Sequence, residues 1–183
     1  MGVPVNDASV HWFVMRDLKR HNAKDPAYRM LAAEGIEVFT PMIRKLMQLG
    51  GRKLRIETPF IPDLLFVRDS RQRLDPIVLK TPTLQYRFVR GEYKSPMVVP
   101  DREMDRFLHA VRVSEQPRFF QTDEIRPEMY GRRIRVIGGP LDGYEGHLLS
   151  LRGSRTKRLL VELPHYLTAA VEITPDLIEI LES

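Results

Sequence analysis

The stretch Arg55–Arg68, RIETPFIPDLLFVR, constrains the fold more than any other part of the chain. After Pro62, residues Asp63, Leu65 and Val67 fall on one face, and Leu64 and Phe66 on the other. Period-two alternation in Leu, Phe and Val predicts a β-strand. Pro59 and Pro62 interrupt its start. Proline cannot donate to a sheet ladder, so a bulge or twist is expected near Pro62. Both faces beyond that point are apolar. Such a strand is covered on both faces, or covered on one and offered to a partner on the other. Two readings therefore stand here: a central core strand, or one wall of a docking groove.

The flanking sequence supplies partners for this strand. Val10–Arg16 alternates, with Trp12 and Val14 on one face and Phe13 and Met15 on the other. A basic turn follows, Asp17–Lys24. Asp25-Pro26 then predicts a helix start, with Asp accepting from orphan N–H groups and Pro at the first helical position. That helix runs to about residue 34, and Gly35 suits its C-terminal end. Ile36–Phe39 reads as a strand ending at Pro41. Gly50-Gly51, flanked by Arg44, Lys45, Arg52 and Lys53, predicts a hairpin with a basic tip. Asp75-Pro76 repeats the helix-start signal, for a helix through Lys80. Gln85–Arg90 is a further strand. From Pro100-Asp101, Met104, Phe107, Leu108 and Val111 form a helical stripe that predicts packing on a sheet.

Strands mixed with a few helices predict an α+β sandwich for residues 1–113. Residues 114–129 carry Pro117 and Pro127, are acidic and lack periodicity, and so read as a linker. Adjacent aromatics within it, Phe119-Phe120, suit docking on a neighbour. Residues 130–183 hold five short strand signals: Arg132–Ile137, His147–Leu151, Arg158–Leu163, Ala169–Ile173 and Leu177–Leu181. Turn clusters separate them and no helix signal intervenes, which predicts a small β-barrel.

Charge is distributed unevenly. Residues 1–113 hold 20 Lys and Arg against 13 Asp and Glu, whereas residues 130–183 hold 7 of each. An excess confined to one part suggests that this part meets a polyanion. No residue pattern supports catalysis. There is no cysteine, which removes thiol chemistry and disulfides and suits a reducing cytoplasm. The five histidines are scattered, without a metal-ligand pair. GGPLDGYEG lacks the Gly-Lys-Ser/Thr ending of a phosphate loop, and no Ser sits in GxSxG. Asp101, Glu103 and Asp105 read as helix-start charges. No enzyme, cofactor or metal is expected. No apolar run approaches the roughly 20 residues of a membrane span, and MGVPVNDASV does not read as a signal peptide.

Two separated segments resemble one family. Trp12-Phe13-Val14, Pro41-Met42, Pro59–Val67, Phe88-Val89-Arg90-Gly91 and Val99-Pro100 are similar to the N-terminal domain of NusG-type transcription elongation factors. Gly131–Leu149, GRRIRVIGGPLDGYEGHLL, is similar to the KOW motif of their C-terminal domain, here carried by Arg135, Val136, Gly139, Pro140, Gly143 and Gly146. Thr40-Pro41-Met42, Arg52-Lys53 and Gln85–Phe88 resemble the specialised RfaH-like factors, above all the UpxY-type antiterminators of capsular polysaccharide operons. Where general NusG has Gly-Tyr after the central proline, this chain has Asp63-Leu64. An upstream groove aromatic is replaced by Ile61, and a C-terminal-domain Phe by His165.

The resemblance implies a non-catalytic factor that rides on RNA polymerase, suppresses pausing or termination and acts on selected operons. An apolar groove of Val14, Ile61, Leu64 and Phe66 would grip a helical hairpin of the polymerase clamp. A basic rim of Arg16, Lys19, Arg20, His21 and Lys24 would lie near the non-template DNA strand or nascent RNA. A second partner, a ribosomal protein or Rho, would meet the loop at His165 and Tyr166. The competing reading is an RNA-binding or ribosome-associated module with the KOW barrel as reader, through Arg132, Arg133 and Arg135. RfaH-like factors also raise the alternative of a C-terminal helical hairpin that masks the groove. Gly138, Gly139, Pro140, Gly143, Gly146, Pro164 and Pro175 oppose it, because each interior proline costs a helix about 3 kcal/mol.

Overall fold

Two apolar strands in register organise the N-terminal sheet. The computed structural model describes residues 7–19 and 24–181. In order, its first elements are β1 (Val10–Asp17), α1 (Ala27–Ala33), β2 (Glu37–Phe39), β3 (Met42–Leu49), β4 (Arg52–Pro59), β5 (Leu64–Ser70), α2 (Arg71–Lys80), β6 (Leu84–Tyr86) and β7 (Val98–Val99). β5 and β1 pair antiparallel from Leu64–Arg16 to Ser70–Val10. The sheet order is β2-β5-β1-β6, with β7 also on β1. β5 is thus a central strand. One face of this pair carries Phe13, Met15, Leu65 and Val67, which pack with Ala27 and Leu31 of α1 and Leu74 of α2 into the core.

The interruption at Pro59–Pro62 is a full break rather than a bulge. β4 ends at Pro59, and a turn closed by Leu64 N–H donating to the Ile61 carbonyl (3.2 Å) leads into β5. The two halves of the Arg55–Arg68 stretch belong to different sheets, since β3 and β4 form a two-stranded ribbon of their own. Gly50 and Gly51, at φ 55° and 78°, make its turn. Two consecutive residues in the left-handed region match the twist of flanking strands, and glycine adopts that region without a steric penalty.

One helix differs from the local reading in its cap and another in its start. At α1 the cap comes from afar: Asp17, buried at the end of β1, accepts from Ala27 N–H at 2.7 Å. Asp25 instead offers its backbone carbonyl to Lys19 Nζ at 2.7 Å. α2 begins a turn earlier than Asp75-Pro76 suggested and holds Pro76 inside. Asp75 is held there by Arg71 Nη2 (3.0 Å) and by the Tyr86 hydroxyl (2.8 Å). Burial raises the Tyr86 pKa far above its ordinary value, and the bond to Asp75 adds to this, so the phenol stays a neutral donor.

The chain divides into two compact units, one ending at Asp101 and one starting at Arg102. The second contains most of α3 (Asp101–Val113), then β8 (Arg118–Gln121), β9 (Tyr130–Val136), β10 (Glu145–Leu149), β11 (Arg158–Leu163), β12 (Leu167–Glu172) and β13 (Ile178–Ile180). Met104, Phe107 and Leu108 of the predicted stripe are buried. The six strands form one antiparallel sheet in the order β13-β9-β10-β11-β12-β8. Its core is Ile134, Val136, Leu159, Val161, Leu163, Leu167, Ala169 and Val171. β8 lies within the segment read as an aperiodic linker. Phe119 is buried there, and Thr168 of β12 pairs with Phe120. The described part of residues 130–183 holds strands and one 3-10 turn, Pro175–Leu177, rather than α-helix.

Candidate functional site

Register brings the proposed groove residues together. Val14 lies opposite Phe66, Phe39 also opposite Phe66, and Leu64 opposite Arg16. The rings of Phe39 and Phe66 stack with centroids 6.1 Å apart. This is the second apolar face of the strand pair, bounded by Arg16 at one end and Arg68 at the other. It is closed to solvent: Val14 is 0% exposed, Leu64 3% and Phe66 0%. These three side chains are buried in this structure, and their place at a partner contact stands as a proposal. Ile61, in the turn before β5, is half-buried and retains surface.

The expected basic rim is only partly free. Arg16 is committed to Asp63, with Nη2 at 3.0 Å and Nε at 3.1 Å. Arg87 approaches the same carboxylate at 3.6 Å. Asp63 therefore neutralises the cation beside it. Lys19 is anchored on the Asp25 carbonyl. Lys24 is exposed, and Arg20 and His21 lie outside the described residues.

The KOW-like residues act as a scaffold. Arg135 Nη2 sits 2.6 Å from Glu145 and its Nη1 3.2 Å from Glu179, while Arg133 reaches Glu145 at 3.2 Å. Hydrogen bonding to Arg135 lowers the Glu145 pKa, and the same contact raises that of Arg135. Two of the three cations proposed as an RNA patch are thus paired, with Arg132 left exposed. Gly143 N–H donates to the Val136 carbonyl, and Val136 N–H donates to that of Tyr144, at 2.9 and 2.8 Å. Gly139 and Gly143 have φ of 71° and 76°. Buried Val136 anchors this turn, and the Pro140 carbonyl lies 2.7 Å from His109 Nε2.

Gly146 matters for space rather than φ. A Cβ there would lie 2.7 Å from the Leu160 carbonyl oxygen and 3.0 Å from Leu159 Cδ1. Gly146→Ala is expected to destabilise the second unit by about 1–3 kcal/mol, as overpacking does. Thermal melting checks this. An unchanged midpoint would show that β10 can move aside at no cost.

The partner-loop residues join β11 to β12. His165 is exposed at φ 71°, Tyr166 is half-buried, and Tyr166 N–H donates to the Leu163 carbonyl at 3.1 Å. Local sequence reading missed the cluster around Tyr144. Its hydroxyl donates to the Arg106 carbonyl at 2.9 Å, and the Arg106 guanidinium lies 5.0 Å from its ring centre. Arg106 Nη2 also donates to the Glu145 carbonyl at 2.6 Å. These pairs are nearly forty residues apart, so periodicity carries no trace of them.

Residues 10–108 match the family described as "Transcription termination factor nusG", more than half of the chain. The chain belongs to the NusG family, whose members are non-enzymatic transcription factors that bind RNA polymerase and act in elongation and termination. Among solved structures, one titled "Domain interaction in Thermotoga maritima NusG" is similar over 97% of this chain and 100% of that one, at 16% identity and a TM-score of 0.47. No curated protein matches the chain significantly. No described helix is long and apolar enough to cross a membrane.

Proposed function

We propose that this NusG-family protein is a specialised antitermination factor of the UpxY or RfaH-like type. It binds the clamp region of RNA polymerase in the cytoplasm and suppresses pausing or termination on selected operons, such as those for polysaccharide biosynthesis. The observation that carries this reading is the family match across residues 10–108. Thr40-Pro41-Met42 and Arg52-Lys53 add the paralogue type by their resemblance to the specialised factors.

Ile61 supplies apolar contact at the polymerase surface, on a bed formed by Val14, Leu64 and Phe66. Lys24 and Lys19, with Arg20 and His21, meet the non-template strand or nascent RNA. The exposed His165 and neighbouring Tyr166 meet the second partner, a ribosomal protein or Rho. Binding clamp and nucleic acid at once favours the closed, elongating state by differential affinity. The test is capture of RNA polymerase from a lysate, paired with in vitro transcription through a terminator. Ile61→Asp is expected to keep the fold and to lower capture roughly tenfold, since a carboxylate replaces an apolar contact. Full capture by a folded Ile61→Asp protein would remove Ile61 from the interface.

A further inference from the structure

The β3–β4 ribbon has no role in the surfaces above, yet it is the most basic element of the described chain. Residues 42–59 hold Arg44, Lys45, Arg52, Lys53 and Arg55 against a single carboxylate, Glu57. Glu57 pairs with Arg44 at 3.3 Å. The other four cations are exposed. The ribbon is a separate two-stranded sheet. A lone hairpin is marginal in water, and this one also leaves apolar side chains in solvent: Leu46 is 62% exposed, Met47 44% and Leu54 48%.

Register shows how those groups are arranged. Met47 lies opposite Leu54 and Lys45 opposite Ile56, on one face. Leu46 lies opposite Arg55 and Gln48 opposite Lys53, on the other. Cations therefore project from both faces, with apolar groups between them. We propose that the β3–β4 ribbon is a docking element for duplex DNA, entering the major groove with cations directed at the phosphate walls on either side.

Three features select this occupant. The B-DNA major groove, about 12 Å wide, admits a two-stranded β-ribbon. Apolar side chains between the cations match thymine methyl groups on the groove floor. The deep, narrow major groove of A-form RNA excludes such a ribbon. Single strands are held on stacked aromatics, and residues 42–59 contain no Phe, Tyr, Trp or His. This surface is distinct from the Ile61 contact, so the two can fail separately.

The experiment measures anisotropy of a labelled DNA duplex of about 20 base pairs, long enough to present the major groove. Full-length protein is titrated across roughly 50–200 mM salt, where phosphate neutralisation shows as a slope. The triple variant Arg52→Ser, Lys53→Ser, Arg55→Ser is expected to bind more than about tenfold more weakly. Its slope of log K against log salt should be shallower by about 3, near 0.9 for each phosphate that the variant no longer neutralises. A second triple variant, Arg152→Ser, Arg155→Ser, Lys157→Ser, removes the same charge from an exposed loop of the other unit and should leave the slope unchanged. Both variants are checked by circular dichroism, and Arg52→Lys with Arg55→Lys should retain the slope. Equal weakening in both triple variants would overturn the proposal in favour of net charge. An unchanged duplex slope in the ribbon variant would overturn it outright, and weakening confined to a single-stranded probe would overturn it in favour of single-strand binding.

Discussion

Phe66→Asp is expected to unfold the N-terminal unit. Phe66 is fully buried in the central strand, stacked on Phe39 and opposite Val14. Truncating a buried Phe costs about 3–5 kcal/mol. A carboxylate placed in that space adds a desolvation cost of several kcal/mol. The sum rivals the 5–15 kcal/mol of a typical domain. Loss of the cooperative thermal transition of this unit, followed by circular dichroism, is the expected result. Loss of polymerase binding would accompany it for a reason unrelated to docking. Native-like melting of Phe66→Asp would show that this face opens readily, and would restore Phe66 as a surface residue. Ile61→Asp is the informative contrast, because Ile61 retains surface and lies outside the ladder.

That contrast marks what the residues alone could reveal. Alternation of Asp63, Leu65 and Val67 against Leu64 and Phe66 identified a strand with two apolar faces, and β5 has both. Alternation cannot report whether something covers the second face. The Gly50-Gly51 hairpin was legible because turn geometry is local and demands φ that glycine accepts. Asp25-Pro26 placed the start of α1 correctly but not its cap, whereas Asp75-Pro76 misplaced the start of α2. At the first, a carboxylate ten residues upstream, Asp17, reaches Ala27 and takes over the cap. At the second, Arg71 and Tyr86 hold Asp75 so that the helix runs through Pro76. A proline forbids only one donated hydrogen bond and crowds the preceding turn, and tertiary contacts offset that cost. Of the expected cations, Arg16 and Arg135 are paired by Asp63 and Glu145 across strands. Pairing of this kind depends on register, which composition does not contain.

The largest gap between sequence and fold is β8, and it sets the second strong prediction. A fragment of residues 130–183 leaves out Arg118–Gln121, which pairs along β12 from Gln121–Leu167 to Arg118–Ala170. It therefore lacks four residues of ladder and the buried ring of Phe119. It also turns β12, buried along nearly its whole length, into an apolar sheet edge that invites association. Loss of a buried Phe alone is worth about 3–5 kcal/mol. For a unit of this size each kcal/mol moves the melting point by roughly 4–8 °C. A fragment of residues 114–183, which retains β8, is expected to melt cooperatively. The 130–183 fragment is expected to melt at least about 12 °C lower, or to aggregate through β12, by the same conversion. Calorimetry and light scattering of the two fragments decide it. Equal midpoints would mean that β8 contributes nothing and that the sheet is complete at β12. Phe119→Ala in the full-length chain supplies the independent check, because it removes the ring while keeping the strand. A drop of the second unit's transition comparable to that of the truncation would locate the stabilisation in the ring. A small drop beside a large truncation effect would locate it in the backbone pairing that shields the β12 edge.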